Sequence, residues 1–150
     1  MGAVLMMKIS TKGRYALRIM VDLARHSAES PVSLREISER QNIIPKYMES
    51  IMALLLREKL VISIRGKAGG YRLARSPEQY RVYDILRAAE GDLEPVQCLV
   101  QKPNVCPLAP DCATLPLWEG LSRVVRQYLE SYTLEALLGN GGAFSYCDGI

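Results

Sequence analysis

Apolar residues along this chain recur mainly with the spacing of a helix face. In residues 45–59 they fall at i, i+3, i+4, i+7 and i+8, the pattern of one helical side turned toward a core. Similar spacing predicts a first helix in residues 14–25, a short one in 82–89, and a long one in 114–132 followed by a turn of helix at 133–138. The fold is therefore expected to be mainly α.

Residues 32–73 add a tight turn and a hairpin to this helical pattern. Ser33 and Glu36 have the spacing of a capping box, and Pro45 suits the first position of the next helix. Residues 60–64 and 71–74 have the composition of two short strands on either side of a glycine-rich loop. Helix, turn, helix and hairpin in this order predict a winged helix-turn-helix, whose second helix enters a DNA major groove while the hairpin touches the DNA beside it.

The predicted second helix has a polar side that could lie against a polyanion. Its residues away from the core are short, hydrogen-bonding or cationic: Lys46, Glu49, Ser50, Ala53 and Arg57. An α+β domain with an ordinary solvated face would show the same residues, since short helix-turn-helix patterns produce many false matches. DNA binding is the interpretation that we favour.

Charge is divided unevenly between the two halves of the chain. Residues 1–75 hold 14 Lys and Arg against 6 acids, a balance of +8, whereas residues 76–150 hold 5 against 10, a balance of −5. This division suits a nucleic-acid-binding face beside a module that must avoid DNA, although basic surfaces also meet membranes and acidic proteins.

The sequence shows no apolar run of about 20 residues that could span a bilayer. Residues 1–6 lack the charged region and cleavage pattern of a signal peptide, and a second start at Met7 suggests that they are a cloning remnant. We therefore expect a cytoplasmic protein with no membrane partner. The sequence also shows no Ser-His-Asp set and only one histidine, so we do not expect an enzyme.

Three of the four cysteines, Cys98, Cys106 and Cys112, lie in one short, proline-interrupted stretch. The prolines predict an irregular loop, which can turn three thiols toward one point. In a reducing compartment such a cluster indicates a metal or redox site rather than a disulfide framework, and thiolates suit zinc, copper(I) or iron-sulfur clusters. The paired spacing of zinc sites is absent, and a disulfide switch or a chance grouping also fits.

The long helix predicted in residues 114–132 carries more apolar surface than one side of a small domain needs. A buried helix would explain this surface. We favour a helix that packs both on its own domain and on a second copy, because helix-turn-helix proteins commonly pair with their recognition helices about 34 Å apart.

Five segments resemble the IscR-type winged-helix regulators, the group that also includes NsrR and CymR. They are residues 7–16 (MKISTKGRYA), 34–41 (LREISERQ), 47–49 (YME), 64–71 (IRGKAGGY) and 117–121 (LWEGL). The resemblance implies a homodimer whose long C-terminal helices cross and whose winged helices read a pseudo-palindromic double-stranded DNA operator.

The resemblance also implies DNA contacts by side chains of the second helix and the wing. Those at matching positions are Lys46, Tyr47, Ser50 and Arg65, which we group with the wing-loop residues Gly66 and Lys67. Glu49 matches a glutamate that helps IscR-like proteins choose an operator class. A carboxylate in a groove can accept a hydrogen bond from cytosine N4 or repel phosphate, so this role is physically reasonable.

IscR-like and NsrR-like members hold an iron-sulfur cluster through three loop cysteines, which here are Cys98, Cys106 and Cys112. A two-iron two-sulfur cluster is the first expectation. The spacing from Cys98 to Cys106 is two residues longer than usual in the family. A CymR-like mode, with no cluster and control by a partner enzyme, is disfavoured by the three cysteines.

The fourth cluster ligand is left open by this sequence. Leu115 stands where IscR has its cluster histidine, and Arg14 stands near the acidic ligand position of NsrR. Glu94, Asp111, an external thiol or a residue of the partner protomer could take this place.

Together these features predict a winged helix-turn-helix DNA-binding domain in residues 7–80 and a cluster loop with dimerisation helices in residues 81–138. Residues 139–150 are expected to form a flexible tail. The expected function is iron-sulfur-responsive transcription regulation of iron-sulfur cluster assembly genes. A repressor that senses nitric oxide or redox stress through the same cysteines is one alternative, and a metal-binding scaffold protein without DNA binding is another.

Overall fold

A computed structural model describes residues 8–139. Within them lie two strands, β1 (Val61–Ile64) and β2 (Gly70–Leu73), and six α-helices: α1 (Thr11–His26), α2 (Leu34–Gln41), α3 (Pro45–Arg57), α4 (Val82–Glu90), α5 (Leu115–Ser131) and α6 (Leu134–Leu138). The expected mainly α fold with a small hairpin and a long C-terminal helix is confirmed. The predictions for residues 1–6, for Cys147 and for the tail after residue 139 fall outside the described residues.

The two helices of the helix-turn-helix are capped as predicted. The Glu36 backbone N–H donates to Ser33 Oγ at 3.2 Å, and the Ser33 N–H donates to Glu36 Oε2 at 2.8 Å, which completes the capping box. The turn between the helices passes through Asn42 in a left-handed conformation with φ of 51°, which asparagine tolerates better than most residues. Pro45 begins α3, where its missing N–H costs nothing.

The wing, which we define as β1, β2 and the loop of residues 65–69, is anchored to the segment before α2. The strands pair antiparallel from Val61 opposite Leu73 to Ile64 opposite Gly70. Tyr71 also exchanges two backbone hydrogen bonds with Val32, at 2.8 and 2.9 Å. A Cβ at Gly70 would lie 2.5 Å from the Val32 carbonyl oxygen, so this close approach requires glycine.

One apolar core joins the winged helix to the helices that follow it. Its buried members come from α1, α2, α3, β1, α4 and α6 and include Ile19, Leu23, Ile51, Leu55, Ile85 and Leu134. Tyr80, fully buried, ties the base of the wing to this core. Its hydroxyl donates to Leu60 O at 2.7 Å and accepts from the N–H groups of Ala74 and Arg75 at 2.9 and 3.0 Å.

A buried carboxylate fixes α2 against α1. Asp22 of α1 is 1% exposed, and it accepts hydrogen bonds from Arg40 Nη2 at 2.7 Å, Arg40 Nε at 3.0 Å and Gln41 Nε2 at 2.8 Å. Arg18, one turn earlier, donates to the side chain and backbone oxygens of Gln41. These bonds hold the end of α2, and therefore the turn that leads into α3.

Glu90, at the end of α4, takes the place of a local cap at the start of α1. Its Oε1 accepts from the backbone N–H of Ser10 at 2.8 Å and of Gly13 at 3.0 Å. A carboxylate is favourable there, because the first amides of a helix are unpaired and carry partial positive charge. A Cβ at residue 13 would lie 2.3 Å from that oxygen, which explains the glycine.

Candidate nucleic-acid interface and cysteine loop

The outer side of α3 presents the polar residues that the sequence predicts. Lys46, Glu49 and Ser50 are exposed, and the Ser50 hydroxyl donates to the Tyr47 backbone oxygen at 2.7 Å. Tyr47 is half-buried, with its ring packed edge-on against Tyr15 at a centroid distance of 5.6 Å. This packing orders the start of α3 while three of the four side chains remain open to a ligand.

The tip of the wing is also open and cationic. Arg65, Gly66 and Lys67 are exposed, and Gly66 has φ of 114°, a conformation that glycine adopts without strain. Gly69 closes the loop through an N–H donated to the Gly66 oxygen at 3.0 Å. The wing therefore holds two cations at the end of a short, defined hairpin.

The cations of these two elements differ from those of the C-terminal half in their partners. In residues 8–139, Lys46, Arg65 and Lys67 have no carboxylate within ion-pair distance. By contrast, Arg81 contacts Asp84 and Glu130, Arg126 contacts Glu130, and Lys102 contacts Glu94. Unpaired cations need no internal bond broken before they meet phosphate, so the electrostatic footprint for a nucleic acid lies on α3 and the wing.

The cysteine loop, which we define as residues 92–114, places its three thiols at half-buried positions without a disulfide. The Cys106 N–H donates to Asn104 Oδ1 at 2.9 Å, and Cys112 Sγ lies 3.4 Å from Thr114 Oγ1. The Thr114 hydroxyl, together with the backbone amides of Thr114 and Leu115, lowers the pKa of the Cys112 thiol. Thr114 occupies the predicted N-cap position of α5, but its side chain makes no capping bond there.

The thiols do not converge on one point as described. In residues 8–139, no group of three or more His, Cys, Asp or Glu side chains is arranged to hold a metal ion. Of the candidate fourth ligands, Glu94 is engaged with Ser122 Oγ at 2.5 Å and Lys102 at 3.7 Å, whereas Asp111 is exposed.

The long helix α5 leaves an apolar stripe uncovered. None of its residues is buried, and Leu117 and Val124 are 62% and 54% exposed. Leu121 and Tyr128 continue the stripe at helical spacing. Monomeric proteins rarely leave such a contiguous stripe in water, and a partner surface is its usual explanation. In the part of the chain that the structure describes, no helix is both long and apolar enough to cross a membrane.

Comparison with known proteins decides the family. Residues 9–140 match the Rrf2 family, described as iron-dependent transcriptional regulators. The chain belongs to the Rrf2 family. It is 38% identical to the HTH-type transcriptional regulator IscR of Sodalis glossinidius over 134 residues, covering 89% of this chain and 80% of that protein. The expected resemblance to IscR-type regulators is confirmed, and these relatives are named as regulators rather than enzymes.

Solved structures of Rrf2 proteins share the fold. CymR (YrzC), the global cysteine regulator of B. subtilis, has a TM-score of 0.70 at 39% identity and covers 87% of this chain and 95% of its own. T. potens IscR has a TM-score of 0.66 at 37% identity and covers 87% of this chain and 85% of its own. The winged helix-turn-helix is therefore confirmed, whereas the overall fold does not separate the two regulatory types.

The cysteine loop of this Rrf2 protein fits an iron-bearing centre by the chemistry of its donors. Cys98, Cys106 and Cys112 are free, partly shielded thiols on one loop, and soft sulfur donors are the usual ligands of iron-sulfur clusters. Asn104 Nδ2, two residues before Cys106, is buried without a hydrogen-bond partner, as expected of a donor awaiting an acceptor.

Sequence reasoning missed several residues that support the reading face of this Rrf2 protein. Asp22 falls three residues after Ile19 on the inward side of α1, and an acid at that position was the available signal of a buried ion pair. Tyr80 gave no such signal, since its three hydrogen bonds go to backbone groups.

Proposed function

We propose that this Rrf2 protein is a homodimeric, sequence-specific DNA-binding transcription regulator that responds to an iron-sulfur cluster and controls iron-sulfur cluster assembly genes. The observation that carries the proposal is the separation of charge and sulfur. Unpaired cations lie on α3 and the wing, and three free thiols lie on the loop that leads into α5. The first group suits phosphate and the second suits iron.

DNA reading is assigned to the polar side of α3 and to the wing. Lys46, Arg65 and Lys67 would neutralise phosphates, and Gly66 lets the backbone of the wing approach the duplex closely. Glu49 and Ser50 are exposed on the recognition helix, where a carboxylate can accept from cytosine N4 and a hydroxyl can bind several bases. Tyr47 would support this surface through its packing on Tyr15.

The dimer is proposed from the stripe on α5. Burying Leu117, Leu121 and Val124 against the same stripe of a second copy would cover it in a two-fold arrangement, since an isologous interface pairs one patch with itself. Two winged helices would then read half-sites about one helical turn apart, at roughly 34 Å.

The cluster would be held by Cys98, Cys106 and Cys112, preferably as a two-iron two-sulfur centre. When bound, it supplies a redox-sensitive crosslink between segments of the cysteine loop. This loop runs directly into α5 through Thr114. An arrangement of the loop and α5 that favours the cluster must therefore change DNA affinity by the same factor as DNA changes cluster affinity, because coupling is reciprocal.

The DNA part is tested by titrating a labelled duplex, selected by this protein from a random pool, at several salt concentrations. Arg65→Ala should weaken binding and reduce the slope of log affinity against log salt by about 0.9, the value for one lost phosphate contact. The matched control is Arg81→Ala, which removes a cation already paired with acids in the C-terminal half. Equal effects of the two variants would remove the wing from the DNA site.

The cluster part is tested by anaerobic purification with iron and inorganic sulfide analysis. Visible absorbance with both elements present is expected for the wild type, and Cys106→Ala should abolish the absorbance. A colourless protein with stoichiometric zinc would contradict the cluster. Comparison of Glu94→Gln with Asp111→Asn would show whether either acid supplies the fourth ligand, because only a ligand variant should lose iron.

A further inference from the structure

An isoleucine at the start of α3 breaks two local rules at once. Ile44 is 75% exposed, whereas its neighbour Ile43 is 3% exposed and belongs to the core. Ile44 also occupies the N-cap of α3, with its carbonyl oxygen accepting the N–H groups of Tyr47 and Met48, both at 3.0 Å. The helix start fixes this side chain in position while leaving it in water.

Neither the core nor the helix explains the residue type. The core is complete without Ile44, since Ile43 and Met48 on either side provide the buried contacts. Isoleucine is among the poor N-cap residues because it has no oxygen to accept an orphan N–H, and no side-chain cap bond is present. A serine there would remove an exposed apolar surface and add a capping acceptor. Local rules broken together at one position are typical of a functional site.

The surroundings of Ile44 indicate what covers it. It lies next to Pro45 and Lys46 at the N-terminal end of the recognition helix, the end that contacts base edges in helix-turn-helix complexes. The major groove presents one apolar group, the C5-methyl of thymine, and aliphatic side chains recognise it by contact. The unpaired Lys46, Arg65 and Lys67 bring phosphates rather than an apolar protein partner to this surface.

We infer that the Ile44 side chain packs against the C5-methyl group of a thymine in the major groove and selects thymine at one position of each half-site. The inference rests on the proposed reading of DNA by α3 and adds a base preference that the polar residues of the helix do not supply. Glu49 and Ser50 can specify hydrogen-bonding groups, whereas only an apolar side chain distinguishes thymine by its methyl group.

The test uses the duplex that the protein itself enriches from a random pool. Each thymidine is replaced singly by deoxyuridine, which removes the methyl group and keeps the base pairing. For the wild type, one position in each half-site should lose about three- to fivefold in affinity, the transfer value of one buried methyl group. Ile44→Ser should bind the thymidine duplex three- to fivefold more weakly and should be insensitive to the same replacement, as expected in a double-mutant cycle.

Stability provides the control that a structural role would fail. Ile44→Ser should melt at the same temperature as the wild type or higher, because serine is the better N-cap. Ile43→Ser, the same change one residue earlier, should lower the melting temperature strongly because that side chain is buried.

Two results would overturn the inference while leaving DNA recognition intact: no deoxyuridine position weakens wild-type binding, or Ile44→Ser keeps the wild-type sensitivity. Failure of the pool to enrich any duplex would instead overturn the proposed function, and this inference with it.

Discussion

Asp22→Asn is expected to destabilise the protein by about 2–3 kcal/mol at neutral pH. Its carboxylate is 1% exposed and accepts hydrogen bonds from Arg40 and Gln41. Asparagine keeps one oxygen but turns N–H donors toward the guanidinium group. Removing one partner of a fully buried pair costs about 3–5 kcal/mol. The Arg40 side chain is 33% exposed and can regain water, which places the expected cost below that range.

The difference between the two proteins should depend on pH in a defined direction. Burial raises the pKa of Asp22, but hydrogen bonds from Arg40 and Gln41, with the charges of Arg40 and His26, outweigh it, so the folded-state pKa lies below its ordinary value. As the pH falls, the unfolded chain therefore binds a proton first. The stabilisation is complete above about pH 5 and is lost as the pH falls through the folded pKa.

Urea unfolding followed by far-UV circular dichroism at pH 7 and at pH 3 measures both effects. Protein concentration must be held constant, because a dimer's stability depends on it. Glu39→Gln is the matched control, since it removes an ion pair with Arg35 whose side chains are 62% and 86% exposed. The control should unfold like the wild type. A loss below about 0.5 kcal/mol at pH 7, the size of an ordinary surface substitution, would refute the reasoning. So would an equal loss at pH 3.

Three further substitutions test other contacts. Tyr80→Phe should cost about 1–3 kcal/mol in urea unfolding, because the buried Leu60 oxygen loses its donor; wild-type stability would show that this hydroxyl is dispensable. Gly70→Ala should cost more than about 1 kcal/mol, because a Cβ there meets the Val32 oxygen at 2.5 Å; an unchanged melting temperature would contradict the close approach. Val124→Lys should give a monomer by light scattering and weaken DNA binding, and a stable dimer would exclude the α5 stripe as the interface.

The elements of the fold followed closely from local chemistry in the sequence. The spacing of Ser33 and Glu36, and Pro45 at the start of the second helix, specify the helix boundaries through bonds between near neighbours. The five polar positions predicted on the outside of α3 are exposed, because one apolar stripe determines which side turns inward. Predictions that depend on contacts within one or two turns were therefore accurate.

Contacts between distant segments were not predictable in the same way. Val32 pairs with Tyr71 across the wing, and Glu90 caps a helix that begins 79 residues earlier, at Thr11. Such contacts depend on how whole elements pack, and a single sequence carries no sign of them. The same limit applies to the cysteine loop, whose prolines predict an irregular path but not the positions of Cys98, Cys106 and Cys112 relative to one another.

The division of the chain at residue 80 stays a prediction. Residues 81–138 include α4 and α6, whose side chains Ile85 and Leu134 belong to the same core as α1. The backbone also links the two parts, since the Leu134 N–H donates to Tyr80 O at 2.9 Å and the Val82 N–H donates to Tyr132 O at 2.9 Å. These links give a direct mechanical connection between the C-terminal helices and the base of the wing.

The central claim is that sulfur ligation in the cysteine loop changes how the winged helix binds DNA. The most direct measurement is the affinity for the selected duplex of one anaerobic preparation, determined before and after the cluster is removed by a chelator under reducing conditions. The account predicts a change of about 5- to 150-fold, the usual range of coupling between two sites, and no change for Cys106→Ala given the same treatment. Equal affinity of the two wild-type forms, with iron and sulfide verified in the first, would contradict it.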